Sequence, residues 1–243
     1  MKLIQLNIWS GRLERQVAGF FEAQQPDIAC LQEAVSIKGN GAIFVGFEAL
    51  QKSWHKPTYG FHTPMFSFKF MNRTARFGNG IISTLPFTEQ QALYTNLEPK
   101  ENFDFDTDDY NVRNLQHVQL DVDGKKLHIL NHHGHHIPEH KNGDESTIRQ
   151  MRQIREYLNQ LDGPVILTGD FNLSPTSRSL ELINEKLDNL SVKYRLETTR
   201  NQLTYKKEVC DYIFVSERVK VSSFEASDEV VSDHKALILE FDI

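Results

Sequence analysis

The run Val165-Ile166-Leu167-Thr168-Gly169-Asp170-Phe171-Asn172 constrains this chain more than any other. Its apolar opening reads as a strand buried on both faces, and such strands belong to sheets covered by helices. It closes on Gly-Asp-x-Asn, and Ser174-Pro175 then turns the chain toward a helical pattern. In an extended segment, side chains two apart point the same way. Asp170 and Asn172 are therefore expected to face one pocket at the strand's carboxyl end. A carboxylate beside a neutral amide can handle a water proton and hold an oxygen, which suits metal-assisted attack at phosphorus. The same pair also satisfies backbone groups at ordinary strand-to-turn junctions. The rest of the chain has to decide between these readings.

The plan recurs. Lys2 to Asn7 alternates like a strand, Arg12 to Gln24 carries Leu13, Val17, Phe20 and Phe21 at helical spacing, and Ile28-Ala29-Cys30-Leu31 reads as a second buried strand ending at Gln32-Glu33. A β-α-β opening makes parallel neighbours, so Asn7 and Glu33 are expected side by side. Further on, Asp123-Gly124 marks a hairpin, with strands over Val112–Val122 and Lys126–Leu130. The second strand runs into Asn131-His132-His133-Gly134-His135-His136. A helix over Ser146–Leu161 then leads back to the opening strand, which completes a second β-α-β unit. Strands follow over Val209–Val215, with Asp211 embedded, then Val219–Phe224 and Ala236–Phe241, with Ser232-Asp233-His234 between these two. Residues 36–80 read as irregular apart from a strand through Phe66, Phe68 and Phe70. Gly78-Asn79-Gly80 reads as a turn, and Asn102 to Asp109 as an acidic, mobile solvent loop that lacks the glycine and closing Glu of a calcium loop.

Composition narrows the class. A chain of 243 residues suffices for one large α/β domain, and with no linker-like break the expectation is a single domain over 1–243. The net charge of −6 argues against a life of non-specific nucleic-acid binding. A polyanionic substrate must then be met by a local patch or through a metal. The two cysteines, Cys30 and Cys210, form no disulfide framework and no zinc spacing. With no signal peptide and no membrane-length apolar run, a cytoplasmic protein without stable membrane association is expected, and a monomer is the default.

Six polar islands interrupt apolar strands: Asn7, Glu33, His132-His133, Asp170 with Asn172, Asp211, and Asp233-His234. Their order strongly resembles that of the endonuclease/exonuclease/phosphatase superfamily, on Leu6-Asn7-Ile8, Leu31-Gln32-Glu33, Asn131-His132-His133, Gly169-Asp170-Phe171-Asn172, Asp211-Tyr212-Ile213-Phe214 and Ser232-Asp233-His234. The resemblance implies an α/β fold, a four-layer sandwich of two packed mixed sheets flanked by helices. It also implies phosphoester hydrolysis with magnesium or manganese. Glu33 resembles the principal metal ligand, with Asn7 and Asp233 near the ion. Asp170 resembles the residue that positions or deprotonates the attacking water, and Asn172 a donor to the water or phosphoryl oxygens. His234 resembles the phosphate histidine, with Asp211 its buried partner. His133 stands where the abasic-site enzymes carry tyrosine, so the histidine-bearing branch is implied and His133 is the expected acid or phosphate donor. His132 replaces that branch's threonine. His135 and His136 have no counterpart in the pattern.

The leading expectation is a phosphodiesterase or nuclease acting on DNA or RNA, supported by the basic, aromatic stretch 51–77 and by Arg149, Arg152 and Arg155. Arg76, Arg113 and His132 are the candidate substrate contacts. The alternative is a phosphatase or phospholipase-like hydrolase of a small phosphoester or lipid headgroup. A minor alternative is an inactive binding module.

Overall fold

The computed structural model describes residues 1–37, 46–54 and 56–243. Alternation in β1 (Lys2–Asn7) sends Leu3 and Ile4 to opposite faces. The helix α1 (Glu14–Gln24) covers the Ile4 and Leu6 face with Val17, Phe20 and Phe21. The chain returns as β2 (Ile28–Ile37), parallel to β1. After α2 (Phe47–Lys52), a long hairpin of β3 (Tyr59–Phe70) and β4 (Arg73–Ser83) pairs with β2.

The second half begins with the meander β5 (Phe87–Asn96), β6 (Arg113–Val122) and β7 (Lys125–His133). Asp123 and Gly124 make the β6–β7 turn, both at positive φ (53° and 80°), which a tight hairpin requires. Asp144 caps α3 (Glu145–Leu158) in a reciprocal box with Thr147. β8 (Val165–Asp170) then lies parallel to β7. The elements α4 (Arg178–Asn184), β9 (Asp188–Asn189), α5 (Leu190–Lys193) and β10 (Asp211–Val215) follow. β11 (Lys220–Ala226) and β12 (Leu237–Asp242) return to the first sheet.

The two six-stranded sheets have the orders β11-β12-β1-β2-β4-β3 and β5-β6-β7-β8-β10-β9. Leu3, Ile28, Cys30 and Ile81 of the first sheet meet Val118, Leu127, Ile129, Ile166 and Ile213 of the second in one apolar layer. Helices α3 and α4 cover the outer face of the second sheet through Met151, Ile154, Leu180 and Ile183. This is the four-layer α/β sandwich. Among the described residues no helix is long and apolar enough to cross a membrane.

Toward the carboxyl ends of the parallel strands the inter-sheet layer turns polar. Gln5 Nε2 donates to Gln32 Oε1 (2.8 Å), Gln32 Nε2 to Asn131 Oδ1 (2.6 Å) and Asn131 Nδ2 to Gln116 Oε1 (3.0 Å). All four residues are fully buried. Buried amides must find partners or cost several kcal/mol, roughly. These find one another, Gln5 Oε1 excepted, and their belt separates the apolar core from the cleft above it.

Three expectations are corrected. Residues 36–80 are mostly regular, since they include α2, β3 and β4; residues 38–45 and 55 lie outside the described set. Gly78-Asn79-Gly80 is no turn but lies inside β4. A Cβ on Gly78 would stand 2.0 Å from the Thr63 carbonyl oxygen, and one on Gly80 would stand 2.4 Å from the Phe47 ring. Close approach, not chain reversal, therefore requires these glycines. The reversal falls at Met71-Asn72, both at positive φ. The acidic loop after Lys100 is pinned rather than free: Phe103 is buried against Phe66, and Asp108 takes the Lys100 ammonium and the Asp104 amide.

Candidate active site

Two β-α-β units deliver their strand ends to one edge of the sandwich. In β2 the strand does not stop at Glu33. Its register against β4 shifts between Leu31 and Ala34, and Glu33 adopts a left-handed φ of 55°. Such a bulge re-aims one side chain without ending the strand. Glu33 Oε1 thereby accepts from Asn7 Nδ2 at 3.1 Å, so the expected side-by-side placement holds. In the second unit plain register does the aiming: His133 pairs with Asp170 across β7 and β8, and Asp211 stands opposite Asp170 on β10. Asn172 lies beyond the end of β8. It returns to the cleft through a left-handed φ of 55°, and its amide N–H donates to Asp170 Oδ1 at 3.0 Å.

Asp170 is the hub. Its Oδ2 accepts from Asn7 Nδ2 at 3.2 Å and lies 3.6 Å from His234 Nε2 and 4.0 Å from His133 Nε2. Burial alone would raise its pKa, but His234, Arg200, His133 and Lys141 outweigh burial and hold it below the usual carboxylate range. Glu33 goes the other way. Burial raises its pKa, Asn7 and His234 oppose this, and the Asp170 and Asp233 charges reinforce it.

His234 Nδ1 contacts both Asp211 oxygens, at 3.0 and 2.9 Å, and Gln5 Nε2 donates to Asp211 Oδ1 at 3.1 Å. The buried Asp211 therefore has the partner its apolar strand demands. Burial and the Arg200 charge push the His234 pKa down, yet Asp211, with help from Asp170, outweighs them and leaves it raised. His133 has no such partner. Its Nδ1 is buried without a hydrogen bond, and burial followed by the Arg113 charge pushes its pKa well down.

These side chains line a cleft of about 500 Å³. Arg113 is there too: Nε donates to the Gly134 carbonyl (2.7 Å) and Nη1 to the Tyr110 carbonyl (2.9 Å), and burial lowers its pKa to about 10. Two other expected contacts are elsewhere. His132 is fully buried behind the site, edge-on to Phe171, with Nδ1 against the Asn114 carbonyl; burial lowers its pKa to about 4. Strand alternation turns it away from the cleft that His133 faces. Arg76 does not line the cleft for the same reason, while its neighbour Phe77 does.

Sequence reasoning placed Phe77 in a basic, aromatic binding stretch, and Phe77 does line the cleft, but it passed over Arg200, Lys141 and the wall that Phe66, Phe68, Phe105 and Tyr110 form with Phe77. Arg200 Nη1 sits against His234 Nε2 and 3.6 Å from Asp233, and its Nε is buried without a partner. Lys141 Nζ donates to Asn172 Oδ1 at 2.9 Å, while Asn172 Nδ2 reaches the Gly134 carbonyl, which fixes the amide's orientation. No local motif announces Arg200; only its bridge to His234 places it. Of the two unassigned histidines, His136 lines the cleft beside Asn172, and His135 faces Asp144 outside it.

The donor set accommodates a hard divalent cation. Glu33 and Asp233 offer carboxylate oxygens, the type magnesium and manganese take. Among the described residues no salt bridge reaches Glu33. Asn7 fits less directly, because its Oδ1 accepts from the Trp9 amide at 3.0 Å while its NH₂ faces the two carboxylates. Asp170, Asp211 and His234 also cluster closely enough to hold an ion. Asp211 is already engaged by His234 and Gln5, however, and Arg200 occupies His234 Nε2, so the Glu33 side is the better cradle.

Fold and cleft together define a four-layer α/β sandwich with an acid, amide and histidine site at its strand ends. The Endonuclease/Exonuclease/phosphatase family profile matches residues 4–234, and the chain belongs to that family. The family includes nucleases, phosphodiesterases and phosphatases. A search among curated proteins found no match. Solved structures share the fold. A family protein from Leptotrichia buccalis C-1013-b is 19% identical, with TM-score 0.74 and 100% of both chains covered. A mannosyl-6-phosphatase from Bacteroides thetaiotaomicron VPI-5482 is 16% identical, with TM-score 0.71 and 100% of both chains covered. D. rerio TDP2, complexed with single-strand DNA product, is 16% identical, with TM-score 0.70, and 100% of this chain and 99% of that one are covered.

Proposed function

We propose that this chain is a divalent-metal-dependent phosphoester hydrolase that works by in-line attack of water. The observation that carries the reading is the convergence of Glu33, Asp170, His133, Arg200 and the His234–Asp211 pair at one cleft. Glu33 and Asp233 would hold magnesium or manganese, with Asn7 orienting the carboxylates. The bound ion supplies charge neutralisation on the phosphoryl oxygens. Asp170, held ionised, orients the attacking water by accepting its hydrogen. Asn172, clamped by Lys141, keeps Asp170 in place through its backbone amide and presents its own amide to the site. Arg200, and His234 once Arg200 moves from its Nε2 to the substrate, are charge-assisted donors to the phosphoryl oxygens and stabilise the transition state, while His133, its pKa pushed well down, donates as a neutral imidazole.

For the substrate, a compact phosphoester is favoured over a long nucleic acid. Arg149 reaches Asn96 and Ser146, and Arg155 pairs with Glu185, so these cations lie on the outer helix rather than at the cleft. Lys52 and Lys56 line a separate groove. A nuclease remains the second reading, supported by Arg12 and Lys206 in the cleft lining. The test is a magnesium- and manganese-dependent assay on phosphomonoesters, aryl phosphodiesters, sphingomyelin, DNA and RNA. Metal-dependent turnover that Asp170→Asn abolishes is expected. Turnover unaffected by Asp170→Asn, or no turnover on any of these substrates, overturns the reading.

A further inference from the structure

We propose that the cleft has a second compartment, a flat-ring subsite formed by Phe105 and Tyr110, which selects phosphoesters carrying one aromatic ring and no further phosphate beyond it. The inference rests on the hydrolase reading above and deepens it.

The aromatic wall is built around Phe66. It stacks on Phe77 (4.7 Å, 14° between planes) and on Phe103 (4.1 Å, 23°), so both its faces are used. Phe66 and Phe103 are only 3% and 5% exposed, as core rings should be. Phe105 and Tyr110 differ: each is 48% exposed. Phe105 meets Phe68, Phe103 and Phe66 at 82°, 75° and 87°. Tyr110 meets Phe103 and Phe66 at 64° and 87°, and the two rings lie 52° apart. Among the described residues neither ring has a parallel stacking partner. Both line the same cleft as Asp170 and His234. Aromatic rings gain from offset stacking beyond the area they bury, and every nucleobase or aryl group has a face to offer. A flat ring attached to the bound phosphate supplies the missing partner.

Charge sets the other half of the selectivity. Glu101, Asp104, Asp106 and Asp109, all exposed, rim the segment that carries Phe105 and Tyr110. Asp108 is the exception, tied to Lys100. These acids do not line the cleft, whose own lining carries Arg12 and Lys206, so a second phosphate is disfavoured where it extends past the ring toward the acidic segment, whereas a terminal ring avoids that segment. The class that fits is a phosphate bearing a single nucleoside or aryl group at its end.

Calorimetric titration of the full chain in magnesium, with hydrolysis-resistant ligands, tests this. The probes are methylphosphonate, phenylphosphonate, a nucleoside 5′-phosphonate, and that nucleoside 5′-phosphonate with a 3′-phosphonate standing in for an added 3′-phosphate. The two ring-bearing monophosphonates should bind at least about tenfold tighter than methylphosphonate. The tighter of the two identifies an aryl or a nucleoside source. The added 3′-phosphate should bring no gain. Phe105→Leu, which keeps apolar bulk but removes the flat face, should cut the ring preference to about threefold or less, and Tyr110→Leu should do the same to a smaller extent. Equal affinity for methylphosphonate and the ring-bearing probes overturns the subsite and leaves the hydrolase reading intact. A preference that survives in both leucine variants, or a large gain from the 3′-phosphate, also overturns the subsite alone. If no phosphonate binds and no phosphoester is turned over, both proposals fall.

Discussion

The two β-α-β units present the same kind of group, a carboxylate at a strand end, and give it opposite surroundings. Glu33 of the first unit is aimed by a left-handed bulge and faces two other carboxylates, with no salt bridge to it among the described residues. Asp170 of the second is aimed by plain register and is ringed by His133, His234, Arg200 and Lys141. The same chemistry therefore shifts upward in one place and downward in the other. Two acids whose environments push them apart divide the labour. Glu33 has no ion-pair partner among the described residues, so under the proposed function a cation would compensate it, whereas Asp170 is already compensated by the protein.

Substituting the acids tests this contrast most directly. Asp170→Asn should lower kcat by about 10³–10⁴-fold and leave the metal concentration for half-maximal activity nearly unchanged. Glu33→Gln should lower kcat by about 10²–10³-fold and move the metal titration at least about tenfold higher. If the two variants show the same metal dependence, the division of labour is wrong.

Gly169→Ala probes the aiming of the second unit. Gly169 sits at φ +150°, and a Cβ there would stand 1.8 Å from the His132 carbonyl oxygen. The change should cost about 3 kcal/mol or more in chemical denaturation, since backbone cannot yield as a flexible side chain can. A loss under about 1 kcal/mol would mean that the β7–β8 register tolerates slack.

The smallest effect concerns acid stability. His117 Nε2 lies 2.9 Å from His128 Nδ1, and its Nδ1 lies 2.7 Å from the Tyr157 hydroxyl. Burial, then His128, lowers the His117 pKa from 6.5 to about 4. Between those values the unfolded chain binds the extra proton, so stability is complete above about pH 6.5 and falls toward pH 4. The whole contribution is at most about 3 kcal/mol. His117→Gln should flatten that slope in urea melts between pH 7 and pH 4. An unchanged slope moves the acid sensitivity to the other buried histidines that burial shifts the same way, among them His132 and His133.

Much of the site was legible because strand ends interrupt apolar runs with polar residues. Asn7, Glu33, His133, Asp170, Asn172, Asp211, Asp233 and His234 all line or adjoin the cleft. The choice of His133 over His132 follows from the period of two: adjacent residues on β7 face opposite ways. Arg76 failed as a substrate contact by the same rule, since Phe77 holds the inward position. Arg200 and Lys141 were illegible because their loops carry no periodic pattern. The basic, aromatic stretch 51–77 divides: Phe66, Phe68 and Phe77 line the cleft, whereas Lys52 and Lys56 line another groove.

The sequence by itself determined two parallel β-α-β units, the polar groups at their strand ends, and through them the family's chemistry. Periodicity and turn residues act locally, so a single chain exposes them. Only the tertiary structure decided that Glu33 turns through a bulge, that Arg200 meets His234, and that two aromatic rings stand open in the cleft that Asp170 and His234 line. Those features depend on contacts between segments far apart in the chain. The charge each acid carries and the faces each ring offers are set by neighbours that no local pattern names.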